Sequence, residues 1–154
     1  MLCKLLPKPS NLRLGFLCFY LGVCGVLMGC GASDQLAFSK ARVRAPVPGT
    51  DKAVGYFVVA NHTGGAVVLE NISSTEIRGI EIHETLEVDG LLRMRRLIQP
   101  QLGDGETWLF EPGGKHLMLF GVSRLSAAPR FTFHFRDLPP VEVEFEIQPL
   151  LGEG

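Results

Sequence analysis

Past residue 36 the chain alternates apolar and polar residues in short runs, each stopped by glycine, proline or asparagine. Phe131, Phe133 and Phe135 alternate with Thr132 and His134, and Val141, Val143, Phe145 and Ile147 alternate with Glu142, Glu144 and Glu146. A two-residue period of this kind puts one face of a strand in a core and the other in water. Further strand candidates are residues 41–45, 54–60, 67–72, 77–88, 91–98, 107–110 and 116–122. Their breaks are turn clusters such as Pro46-Val47-Pro48-Gly49, Asn61-His62-Thr63-Gly64-Gly65 and Pro112-Gly113-Gly114. Outside the N-terminus no window sustains a 3.6-residue apolar period. Eight or nine short strands at turn-separated spacing predict an all-β protein, a β-sandwich or small Greek-key barrel.

The first 29 residues depart from this pattern. Lys4, Lys8 and Arg13 make a basic start, and residues 15–28 are apolar and uncharged. That run is short for a bilayer span, which takes about 20 residues, and suits the apolar core of an export signal. It ends in Leu27-Met28-Gly29-Cys30. This resembles the bacterial lipobox, which implies cleavage after Gly29 and lipidation of Cys30. The predicted organisation is a lipoprotein signal peptide over 1–29, a tether over 30–36 and a folded domain over 37–150. The predicted location is the periplasm-facing cell envelope, lipid-anchored. Gly31 in place of aspartate favours the outer membrane by resemblance to the enterobacterial sorting rule.

Charge changes the picture little. The whole chain has 15 basic and 16 acidic residues, and loss of the first 29 leaves 12 basic against 16 acidic. A mildly acidic domain is no polyanion binder, so nucleic acid is not an expected partner. Cysteine changes it more. Cys3, Cys18 and Cys24 lie in the signal and Cys30 at its junction, so none remains in the folded domain. Neither a disulfide nor a thiolate is available there.

Sulfur is supplied instead by methionine. His83, Met94, His116 and Met118 are spaced as His, ten residues, Met, twenty-one residues, His-x-Met. Asp89-Gly90 is a strong type I′ hairpin signal. A two-residue loop there pairs Thr85 with Met94 and His83 with Arg96, so His83 and Met94 share a face as diagonal neighbours. His116 and Met118 share a face by strand alternation. Whether the two pairs meet depends on which strands are neighbours. If they meet, two imidazoles and two thioethers form a neutral, soft ligand set that suits Cu(I) over zinc, which is held by Cys, His and carboxylate. A blue-copper site would need a cysteine. Methionine is also a common core filler, so a non-metal β-sandwich lipoprotein module with these four residues in its core is the alternative reading.

Several stretches carry a resemblance to the periplasmic copper(I) chaperones of cytochrome c oxidase assembly, the PCu(A)C-like family. The His/Met spacing matches the family signature at every interval. Pro112-Gly113-Gly114-Lys115-His116-Leu117-Met118-Leu119 is similar to the family's Pro-Gly-Gly-x-His-Leu-Met-Leu. Asp89-Gly90-Leu91-Leu92-Arg93-Met94-Arg95 is similar to its hairpin, Arg42-Val43-Arg44-Ala45-Pro46 to its opening strand, and Tyr56 with Asn61 to its Tyr-x-x-x-x-Asn stretch. The resemblance covers residues 41–147. It implies a cupredoxin-like fold and one Cu(I) held by His83, Met94, His116 and Met118. It also implies delivery to a copper acceptor, a cytochrome c oxidase subunit or its assembly factors. Thr85 stands where some members have methionine, and the His/Met-rich tail of many members has no counterpart here.

No Ser-His-Asp set, paired carboxylates or phosphate loop suggests catalysis, and the expectation is a protein that is not an enzyme. His62 reads as a loop residue and His134 as a surface residue. Arg93, Arg95 and Arg96 read either as a solvated hairpin face or as a docking surface for an acidic partner. Trp108 belongs to the site rim or to the core.

Overall fold

The computed structural model describes residues 35–46, 48–122 and 124–149. The expected signal peptide, Cys30 and most of the tether lie outside the described residues. Eleven strands follow in order: β1 Leu36–Arg44, β2 Lys52–Asn61, β3 Val67–Ser73, β4 Gly79–Val88, β5 Leu91–Leu97, β6 Gln101–Leu102, β7 Thr107–Phe110, β8 Lys115–Phe120, β9 Arg130–Phe135, β10 Val141–Glu144 and β11 Glu146–Gln148. They form a seven-stranded sheet, β11-β1-β2-β7-β8-β4-β5, with β2 also paired to β8, and a four-stranded sheet, β10-β9-β3-β6. The all-β expectation holds, as a sandwich.

The strand count exceeds the eight or nine expected, for two physical reasons. The alternating run through Ile147 divides at Phe145: β10 pairs with β9 in the small sheet and β11 pairs in parallel with β1 in the large one. Phe145 is fully buried at this crossing. The two-residue β6 has too few positions to show a period. β1 also begins at Leu36, which the sequence placed in the tether. Leu36 pairs with Asn61 and is 1% exposed, so it is part of the core.

The core lies between the sheets and is aromatic. Phe57 stacks on Phe110 at 4.1 Å between centroids and meets Phe133 edge-on at 5.2 Å. Phe131 lies 4.2 Å from Phe145. Such pairs add about 0.5–1.5 kcal/mol each beyond the apolar area they bury. Leu117 and Leu119 of β8 are fully buried and face this core, which turns His116, Met118 and Phe120 to the other face of the large sheet. On β4, buried Ile82 likewise turns Glu81 and His83 outward. At Gly55 a Cβ would sit 3.3 Å from the Cβ and Cδ1 of Leu117, so the absent side chain lets β2 lie close against β8.

Trp108 is buried in the core rather than at a site rim. His134 is only half exposed, and its Nε2 lies 3.0 Å from the Ser73 hydroxyl. His62 is an exposed loop residue, as expected.

Candidate metal centre

The hairpin forms as its sequence predicts. Asp89 and Gly90 have φ of 53° and 74°, the left-handed pair of a type I′ turn. Thr85 pairs with Met94 and His83 with Arg96. On its other edge β4 pairs with β8, setting His83 directly opposite His116 and Glu81 opposite Met118. Directly paired residues share a face, so all four candidate ligands lie on the outer face of the large sheet. The two same-face pairs of the sequence are thus carried on adjacent strands.

The contacts within this group are close. Nε2 of His116 lies 3.2 Å from the Met94 sulfur, and the two imidazole rings are 5.9 Å apart between centroids. Met118 is two residues from His116 on the same strand and half-buried. Burial is graded: His116 is 8% exposed and Met94 56%. The imidazoles line the floor and one thioether faces solvent.

The protonation of His116 follows from its partner. Nδ1 lies 3.0 Å from the carbonyl oxygen of Gly114. A carbonyl only accepts, so Nδ1 carries the proton and donates. In the neutral ring Nε2 is then an unprotonated lone pair facing the Met94 sulfur. The Pro112-Gly113-Gly114 turn aims that carbonyl. Gly113 has a φ of 82°, open to glycine. Gly114 N donates to Glu111 O at 3.1 Å, and Gly114 O also accepts from Thr85 N of β4 at 3.2 Å.

His83 is held by a side chain instead. Its Nε2 is 2.8 Å from Oε2 of Glu81, whose Oε1 is 2.9 Å from Nη1 of Arg96. The hydrogen bond from His83, with smaller help from the Arg96 and His83 charges, holds the Glu81 carboxyl below its ordinary range against a partial desolvation penalty. Nδ1 of His83 is buried and, among the described residues, has no hydrogen-bond partner. Such an orphaned polar atom is rare in native interiors and fits a metal-binding nitrogen. Also among the described residues, no three His, Cys, Asp or Glu side chains gather as a metal site. A four-ligand set here needs the thioethers.

The sequence reading missed Glu81, Arg96 in this role, and the Gly114 carbonyl. Glu81 carried a usable signal, being two residues before His83 and so on its face. The Gly114 carbonyl carried none, because backbone atoms have no residue signature. Arg95 pairs with Glu84 at 2.9 Å and Arg96 with Glu81, while Arg93 is exposed. Two members of the arginine cluster are therefore engaged within the hairpin itself, β5 to β4. Asn61 is a loop clasp: its Nδ2 reaches the carbonyls of Gly65, Leu102 and Gly103, at 2.8, 3.1 and 3.0 Å.

Comparison with known proteins agrees with this architecture. The LpqE-like family, described as a lipoprotein family, matches residues 36–147. The uncharacterized protein RP573 of Rickettsia prowazekii (strain Madrid E) is 38% identical over 86 residues, 53% of this chain and 48% of that protein. The chain thus spans about half the length of this curated relative. Among solved structures, the copper-bound PCuAC domain from PmoF2 superposes with a TM-score of 0.63 at 20% identity, over 75% of this chain and 93% of that one. The apo form of that domain gives 0.65 at 20% identity, over 75% and 90%. The solution structure of apo-DR1885 from Deinococcus radiodurans gives 0.56 at 15% identity, over 98% of each chain. The fold is the cupredoxin-like β-sandwich of the PCuAC domains.

Proposed function

The chain belongs to the LpqE-like family over residues 36–147, and from that membership and its clustered histidines and methionines we propose that it is an envelope copper chaperone. It binds one Cu(I) through His83, Met94, His116 and Met118 and passes the ion to a copper acceptor such as cytochrome c oxidase or its assembly factors. It performs no catalysis. Lipidation at Cys30 holds it to the membrane, facing the periplasm. The observation that carries this reading is the 3.2 Å approach of His116 Nε2 to the Met94 sulfur, with the ring's proton committed to Gly114. Two lone pairs facing each other call for a cation between them. Support also comes from the copper-bound PCuAC domain that shares this fold.

Ligand chemistry selects the oxidation state. Two thioethers and two neutral imidazoles leave the site at net +1 with Cu(I) and +2 with Cu(II). Partial burial favours the lower charge, and soft sulfur favours Cu(I). Imidazole binds only when deprotonated, so affinity falls in acid.

Release follows from the burial gradient. Met94 is the exposed ligand, so an acceptor's donor atom approaches from its side. It displaces the Met94 thioether before the two imidazoles.

A competition titration against a Cu(I) chelator tests the reading. The expected result is one Cu(I) per chain. Removing even a partner outside the ligand set costs roughly 10- to 100-fold in affinity at metal sites. Met118→Ala and His116→Ala should each lose at least that much. Unchanged affinity in either variant would remove that residue from the ligand set, and no binding by the wild type would end the proposal.

A further inference from the structure

We propose that Glu81, braced by Arg96, is a positioning residue that fixes which nitrogen of His83 meets the metal, so that the site presents unlike nitrogens: Nδ1 from His83 and Nε2 from His116. The second part rests on the copper reading above; the first concerns the metal-free chain alone.

The geometry gives each histidine a different anchor. On His116 a backbone carbonyl takes the Nδ1 proton at 3.0 Å and leaves Nε2 bare. On His83 a carboxylate sits 2.8 Å from Nε2. An ionised carboxylate only accepts, so Nε2 carries the proton there and Nδ1 is bare. That Nδ1 is the buried atom that has no hydrogen-bond partner among the described residues. In the Nε2–H tautomer that buried atom is a bare lone pair. Metal-bound histidines commonly donate their other N–H to a carboxylate or backbone carbonyl, which sets tautomer and ring orientation. Both anchors of that kind are present here, one on each ring.

Arg96 adds a second effect. Glu81 lies opposite Met118 in the β4–β8 register, on the ligand face itself. A free carboxylate there would be a hard ligand suited to other ions. Its Oε2 is engaged by His83 and its Oε1 by Arg96 at 2.9 Å. Both oxygens are thereby withheld from the metal, so the carboxylate orients a ligand without becoming one.

The test is nitrogen NMR of the full-length, ¹⁵N-histidine-labelled protein without metal. Wild type should show His83 as the Nε2–H tautomer and His116 as the Nδ1–H tautomer. Glu81→Gln, whose amide oxygen can still accept, should keep the His83 tautomer. Glu81→Leu should abolish the preference. Glu81 is on the outer face and not in the core, and the His116 signal in the same spectrum reports whether the site is still folded. Arg96→Leu is the second variant: it should keep the His83 tautomer and raise Zn(II) affinity relative to Cu(I). An Nδ1–H tautomer of His83 in the wild type, or no change in Glu81→Leu, would overturn the positioning role. Unchanged Zn(II) preference in Arg96→Leu would overturn the withholding role. In Cu(I) titrations Glu81→Leu should lose roughly tenfold or more, and Glu81→Gln less. A wild type with the expected tautomers but no Cu(I) binding would overturn the copper reading and leave the tautomer control by Glu81 standing.

Discussion

Nε2 of His116 and the Met94 sulfur lie 3.2 Å apart, two lone pairs when the ring is neutral, while a buried nitrogen of His83 has no hydrogen-bond partner among the described residues. At this scale the outer face is polar without being satisfied, and an ion would satisfy it. Asn61 is the contrasting case, fully buried with both ends of its amide used. Beyond its three carbonyl partners, its Oδ1 accepts from Thr63 N at 3.0 Å and from the Thr63 hydroxyl at 2.8 Å. Asn61→Ala strands several buried polar groups and should cost roughly 3 kcal/mol, since each unsatisfied group costs about 1–3. Urea denaturation measures this. A loss below about 0.5 kcal/mol would contradict the clasp role. The four candidate ligands were legible in the sequence because their spacing and residue types are unusual together. Asn61 was legible as a turn residue and through a family resemblance, but its clasp was not, because two of its carbonyl partners are 41 and 42 residues away.

At the scale of elements, the β4–β5 hairpin carries two of the four candidate ligands and ends the large sheet at β5. All of β5 except Leu97 is exposed, and Arg93, Arg95 and Arg96 give that edge the charge that discourages pairing with another chain. Glu84 ties the hairpin down, with Arg95 of β5 at 2.9 Å and Lys115 of β8 at 3.1 Å. The hydrogen bonds from Arg95 and Lys115 lower its pKa from the ordinary value of 4.5. A lowered folded-state pKa means stability that is fully present above about pH 4.5 and lost as pH falls through the folded value. Chemical denaturation between pH 6 and 3 should therefore show a steeper loss in wild type than in Glu84→Gln. Equal slopes would contradict the clamp. The register of this hairpin was readable because Asp89-Gly90 dictates a two-residue turn. The division of the last alternating run was not, since burial at Phe145 is the same for a strand that continues and for one that changes sheet.

At the scale of the whole molecule, the decisive event is that β8 is inserted between β2 and β4. That placement brings His116 and Met118 to His83 and Met94, across 21 residues that contain β6 and β7. Each same-face pair is a local consequence of sequence. Their meeting is a consequence of sheet order, which no local period encodes. The same order buries Leu117 and Leu119 behind His116 and Met118, so the core that stabilises β8 also fixes the face on which these candidate ligands stand. Site and fold are therefore not separable: the alternation that fills the sandwich is what sets the donors on one face.

X-ray absorption at the copper edge of the Cu(I)-loaded protein tests the central claim most directly. The account predicts a first shell of mixed nitrogen and sulfur, two of each, with the sulfur contribution reduced in Met94→Ala and in Met118→Ala. A first shell with no sulfur would contradict it.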